Sequence, residues 1–221
     1  MDRLGVTLGL GAGALVVAGL WMGLVQAPPD AVQGEVQRIM YLHVPSILTA
    51  YLAFTVVLVS SIGYLVRGTR GWDRLAHASA EVGVVFTAIT LFTGAIWGKP
   101  TWGVWWAWGE ARLTGTAVLF LVYLGYLMLR SVVEDQDRAG RYAAVVGILG
   151  FFDMIFTHMA VAWFRTLHQP SSLQRGTIDT ALKLPLYLNL LAFVVLYAYF
   201  LARRLRLAAL DEAVEARDLG E

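Results

Sequence analysis

The sequence predicts an all-α, polytopic membrane protein of six transmembrane helices with a tryptophan-rich loop on its outer face. Three observations predict it. Hydrophobic residues make up 58% of the 221 positions and charged residues only 15%, whereas soluble domains carry about 25% charge. Six apolar runs each approach the roughly 20 residues needed to cross a bilayer as a helix. Between the third and fourth runs lies WGKPTWGVWWAWGEAR, residues 97–112, which holds five of the eight tryptophans.

Taken in order, the runs place spans near 5–26, 45–66, 76–97, 113–133, 142–163 and 185–205, within one domain over 1–221. The first is rich in glycine and alanine, which lets helices approach closely. Only Arg3 precedes it as a basic residue, and Ala27-Pro28-Pro29 offers no small-x-small cleavage site, so it is read as a span and not a signal peptide. A polar loop then closes on His43 and Pro45, the latter read as a first-turn residue of span two. RGTRGWDR (67–74) and EDQDRAGR (134–141) are short charged turns. In 98–112, Gly98, Gly103, Gly109 and Pro100 argue against the interior of a continuous helix. Trp102, Trp105 and Trp106 are spaced i, i+3, i+4, which would align them on one face of a short helical segment lying along the membrane. Residues 165–185 form the longest loop, and 206–221 read as a polar, helical tail.

Composition also excludes. No cysteine is present, so there are no disulfides and no thiolate metal sites. A C-x-x-C-H haem-attachment motif is likewise absent. No basic cluster points to nucleic acid; the surrounding partner is membrane lipid. Lysines and arginines divide 11 to 6 between alternate sides of the six spans. The positive-inside rule therefore puts both termini in the cytoplasm and the tryptophan stretch outside.

That orientation gathers His43, His168 and the tryptophans on one face. A broad indole surface suits a large, flat, partly apolar ligand, although tryptophans also form interface belts. Two neutral imidazoles are suitable axial ligands for haem iron. Trp102, Trp105, Trp106 and Trp108 would cover the porphyrin, and Lys99, Arg112 and Arg165 lie on the side where propionates would need cations. Glu110, among the indoles, is placed to cap a helix, pair with Arg112 or touch the ligand. His77 reads as interfacial and Glu81 as a snorkelling or paired acid. Asp153 and His158 fall at membrane depth, where a proton relay competes with a structural cluster in which Thr157 satisfies Asp153.

These residues resemble the cytochrome c maturation protein C family, the haem exporter protein C group. Its W-G-x-x-W-x-W-D signature is matched by Trp102-Gly103-Val104-Trp105-Trp106-Ala107-Trp108. Gly109 then stands as an insertion, with Glu110 in place of the family's aspartate, before the matching Ala111-Arg112-Leu113-Thr114. The W-G-K-P at 97–100, Y-L-H-V-P around His43 and T-L-H-Q around His168 match as well, while Phe164 departs from a tryptophan common in the family. The resemblance runs from about 35 to 185. It implies that His43 and His168 are the axial ligands of haem b, held transiently and without a covalent bond. It also implies presentation of that haem on the outer face of the bacterial inner membrane to a haem chaperone, cytochrome c maturation protein E. The implied associates are an ATP-binding-cassette pair, cytochrome c maturation proteins A and B, and the single-span cytochrome c maturation protein D. No Walker A sequence occurs in this chain, so ATP use is expected of a partner and delivery, not catalysis, of this chain. Two other readings compete: a haem-bearing electron-transfer anchor, which expects histidine pairs inside neighbouring spans, and a small-solute or proton transporter built on Asp153 and His158, which expects broken helices.

Overall fold

The computed structural model describes residues 3–164, 166–168, 178–218 and 220. Its long helices are α1 (Arg3–Trp21), α2 (Met40–Arg67), α3 (Arg70–Trp102), α4 (Ala111–Val132), α5 (Gln136–Trp163) and α6 (Thr180–Asp218). Among the described residues there is no β-strand, only an isolated bridge between Asp30 and Gly34. All six helices are long and apolar enough to cross a membrane. Leu10, Val17, Phe92, Leu121, Leu149 and Phe152 are each at least 60% exposed on outward faces. Acyl chains accept such a girdle, and water does not. The chain is a multi-pass membrane protein.

Packing follows from small residues and a few polar links. α2 lies against α3, α5 and α6, α4 pairs with α5, and α1 closes against α6. Phe54 of α2 stacks on Tyr123 of α4 at 3.7 Å between ring centroids. Asn189 of α6 donates to the Gly19 carbonyl of α1 at 2.6 Å. A Cβ on Gly19 would sit 2.9 Å from the same amide, so a larger residue would have to displace it. Such small-residue contacts replace the hydrophobic drive that lipid cannot supply.

Three helix boundaries differ from the sequence expectation, and each involves proline. α2 starts at Met40, ahead of Pro45, so Pro45 lies inside the helix and His43 in its first turn. α3 runs through Gly98 and Pro100 to Trp102 before stopping at left-handed Gly103 (φ 81°); the expected break at Gly98 is absent. α6 starts at Thr180, ahead of Pro185, and continues to Asp218, so the helical tail expected over 206–221 is an extension of the last span. A proline removes one backbone hydrogen bond and crowds the preceding turn, a loss that neighbouring helices and side-chain hydroxyls offset in membrane bundles. Residues 103–110 are not helical. Trp102 therefore ends α3 while Trp105 and Trp106 lie past its end, and the three do not share one helical face.

The helices alternate in direction, so the bundle has two chemically distinct ends. At the arginine end, Arg130 donates twice to Asp73, both bonds at 2.6 Å. Arg74 pairs with Glu212 at 2.8 Å, and Glu81 takes a two-pronged pair from Arg204. The tryptophan end collects the starts of α2 and α4 and the ends of α3 and α5.

Candidate functional site

His43 projects from the first turn of α2 onto α3. Its Nδ1 lies 3.0 Å from Thr93 Oγ1, and its ring meets the Trp97 indole edge-on at 5.6 Å and 83°. Trp97 Nε1 donates to Gln33 Oε1 at 2.8 Å, which ties the loop before α2 to the same place. His168 comes from the opposite flank, beyond α5. Its ring contacts Trp102, at the last residue of α3, at 4.8 Å. The two sequence-predicted histidines thus converge at the end of α3.

Glu110, only 4% exposed, organises the His168 side. Its carboxylate accepts from the Thr166 hydroxyl and from the Leu167 N–H at 2.7 Å. The His168 N–H donates to Thr166 Oγ1 at 3.1 Å, so the acid anchors the whole 166–168 stretch. Glu110 occupies the residue before α4 without capping it through its side chain. His168 Nδ1 stands 3.6 Å from Glu110 Oε1, beyond hydrogen-bond reach. Burial, helped by the nearby Arg112 charge and opposed by Glu110, pushes the His168 imidazole down to about 4. It is neutral at pH 7, with a lone pair available to a metal.

The cations divide. Arg112 donates through Nη2 to the His158 carbonyl at 2.7 Å, bridging α4 to α5, and its charge disfavours the protonated form of His168. Arg112 Nε, Trp106 Nε1 and His168 Nδ1 are buried with no hydrogen-bond partner among the described residues. Three orphaned polar atoms at one end of a bundle suit a bound polar group. Lys99 instead turns its ammonium onto the Gly103 carbonyl at 2.9 Å, closing the end of α3. Arg165 lies outside the described residues. Trp106 and Trp108 meet edge-on at 5.7 Å, and Trp105 and Trp108 are 57% and 77% exposed. An open cleft of about 410 Å³ is lined by Ala107, Gly109, Glu110, Thr166 and Leu167, within the size range of small-molecule sites.

Sequence reading missed Thr93, Gly94, Gln33 and Thr166. Thr93 and Gly94 lie one helical turn before Trp97, within the expected third span, but nothing in that spacing points to the His43 imidazole of another helix. Asp153 is not satisfied by Thr157: Asp153 Oδ2 and Thr157 Oγ1 are both buried without a hydrogen bond among the described residues. Thr157 faces Gly115 of α4 instead, which draws its hydroxyl into the helix contact. His158 sits against Tyr51 at 5.7 Å.

Fold and site together define a six-helix membrane protein with two imidazoles and an indole cluster at one end. The model of the heme exporter protein C family matches residues 1–219, and the chain belongs to that family. It is 39% identical over 211 residues to heme exporter protein C of Paracoccus denitrificans, covering 90% of this chain and 87% of that one. The Bradyrhizobium diazoefficiens protein of the same name is 38% identical over 186 residues, 83% of this chain and 70% of that one. The Escherichia coli K12 protein is 37% identical over 192 residues, with 87% and 78% covered.

Proposed function

We propose that this chain binds haem at the tryptophan end of its bundle and presents it, on the outer face of the cytoplasmic membrane, to a haem chaperone in cytochrome c maturation. The observation that carries the reading is the convergence of His43 and His168 beside Trp97 and Trp102. The relatives' name, heme exporter protein C, supports haem as the cargo. His43 and His168 would hold the iron, Trp102, Trp105, Trp106 and Trp108 would cover the ring, and Arg112 and Arg165 would take the propionates, with Lys99 adding its charge from the end of α3 that it closes. Glu110 acts one step back, by fixing the stretch that carries His168. Exposed indoles contribute roughly 1 kcal/mol per aromatic contact, enough to orient a ring without trapping it. Haem b is held non-covalently and released to cytochrome c maturation protein E. Energy comes from the ATP-binding-cassette pair, cytochrome c maturation proteins A and B, acting with protein D; this chain delivers and does not catalyse.

The test is a haem titration of the purified protein, followed by mixing with the chaperone. Wild type should bind and transfer haem. Trp105→Ala/Trp106→Ala should insert normally yet lose haem occupancy. Unchanged occupancy in that variant returns the indoles to an interface belt, and failure of wild type to bind haem ends the proposal.

A further inference from the structure

We infer that Thr93 and Gly94 of α3 are positioning residues that hold His43 as the Nδ1–H tautomer and so leave Nε2 free for iron. The inference rests on the haem reading above but can be measured without haem. Thr93 Oγ1 lies 2.7 Å from the Ile89 carbonyl and 3.2 Å from that of Thr90. Carbonyls only accept, so the hydroxyl proton is spent there. What Thr93 offers His43 at 3.0 Å is a lone pair, and the hydrogen between them must belong to Nδ1. An imidazole protonated at Nδ1 carries its free lone pair on Nε2.

Gly94 supplies the space. A Cβ there would stand 3.0 Å from His43 Cε1, tighter than ordinary packing, so any side chain would shift the ring relative to Thr93. Trp97, one turn on, closes a further side of the ring and is itself locked by Gln33. One face of α3 therefore fixes both the proton and the orientation of the imidazole. Histidine ligands of metals commonly donate their second N–H to a fixed acceptor, which sets tautomer and basicity. Here the acceptor is a threonine hydroxyl polarised by its own helix.

The test uses full-length protein labelled with 15N-histidine and free of haem, with the His43 signals assigned by comparison with His43→Gln. Imidazole nitrogen shifts distinguish the two neutral tautomers. Wild type and Thr93→Ser should both show Nδ1–H at His43, whereas Thr93→Val should lose that preference. An Nε2–H signal in wild type, or an unchanged tautomer in Thr93→Val, overturns the inference. On adding haem, Thr93→Val should bind roughly 10- to 100-fold more weakly with a shifted midpoint potential. Thr93→Ser should restore both, and Gly94→Ala should weaken binding. If His43 ligates haem while Thr93→Val leaves affinity and potential unchanged, the positioning role alone fails. If wild type binds no haem, the haem reading fails, and the tautomer measurement still decides the role of Thr93.

Discussion

Glu110 is a buried carboxylate that holds the 166–168 stretch in place. Two donors from the 166–168 stretch converge on it, so truncation leaves both without an acceptor. Glu110→Ala should cost about 1–3 kcal/mol, the penalty for stranding a buried polar group, and lower haem affinity by releasing His168. Thermal unfolding in detergent and a haem titration check both effects. Glu110→Gln, which keeps a carbonyl acceptor, should fall between the two. Little of this is legible in the sequence: Glu110 stands there as an acid among indoles, and its partners come from a loop far along the chain. Thr93 is harder still, since a threonine within an apolar run reads as filler until α2 is packed against α3.

Elements were more legible than residues. Apolar length identifies all six spans because a bilayer sets a minimum run. Their ends are less legible, because a membrane bundle tolerates proline and glycine inside a helix where water would not. Pro45, Pro100 and Pro185 all lie inside helices. In α6 the residues beyond the apolar run are mostly alanine, leucine, arginine and glutamate, strong helix formers that carry the helix on to Asp218. Between elements, the Asp73–Arg130 pair fastens the start of α3 to the end of α4, with side chains only 17% and 11% exposed. Asp73→Ala should destabilise the bundle by about 3–5 kcal/mol, because it strands a mostly buried guanidinium. Asp73→Ala combined with Arg130→Met should cost clearly less than the single change. Equal losses in thermal unfolding would show that the pair does not fasten these helices.

For the molecule as a whole, the question is which end faces out. Charge asymmetry predicts that residues 98–112 lie outside and 67–74 inside. The chain has no cysteine, so single cysteines report cleanly. Val104→Cys should react with a membrane-impermeant reagent in intact spheroplasts, and Gly71→Cys only after lysis. The reverse pattern would turn the site to the cytoplasm.

Ligation by His43 and His168 is the central claim, and the spectrum of the iron tests it most directly. Reduced and oxidised absorbance should be recorded for haem-loaded wild type, His43→Ala, His168→Ala and His158→Ala in detergent. Wild type should be six-coordinate and low-spin, as iron with two imidazoles is. Either of the first two variants should lose that state while the indoles retain some haem, and His158→Ala should keep it. A low-spin signal that survives in His43→Ala and His168→Ala but vanishes in His158→Ala would contradict the account and place the iron on α5.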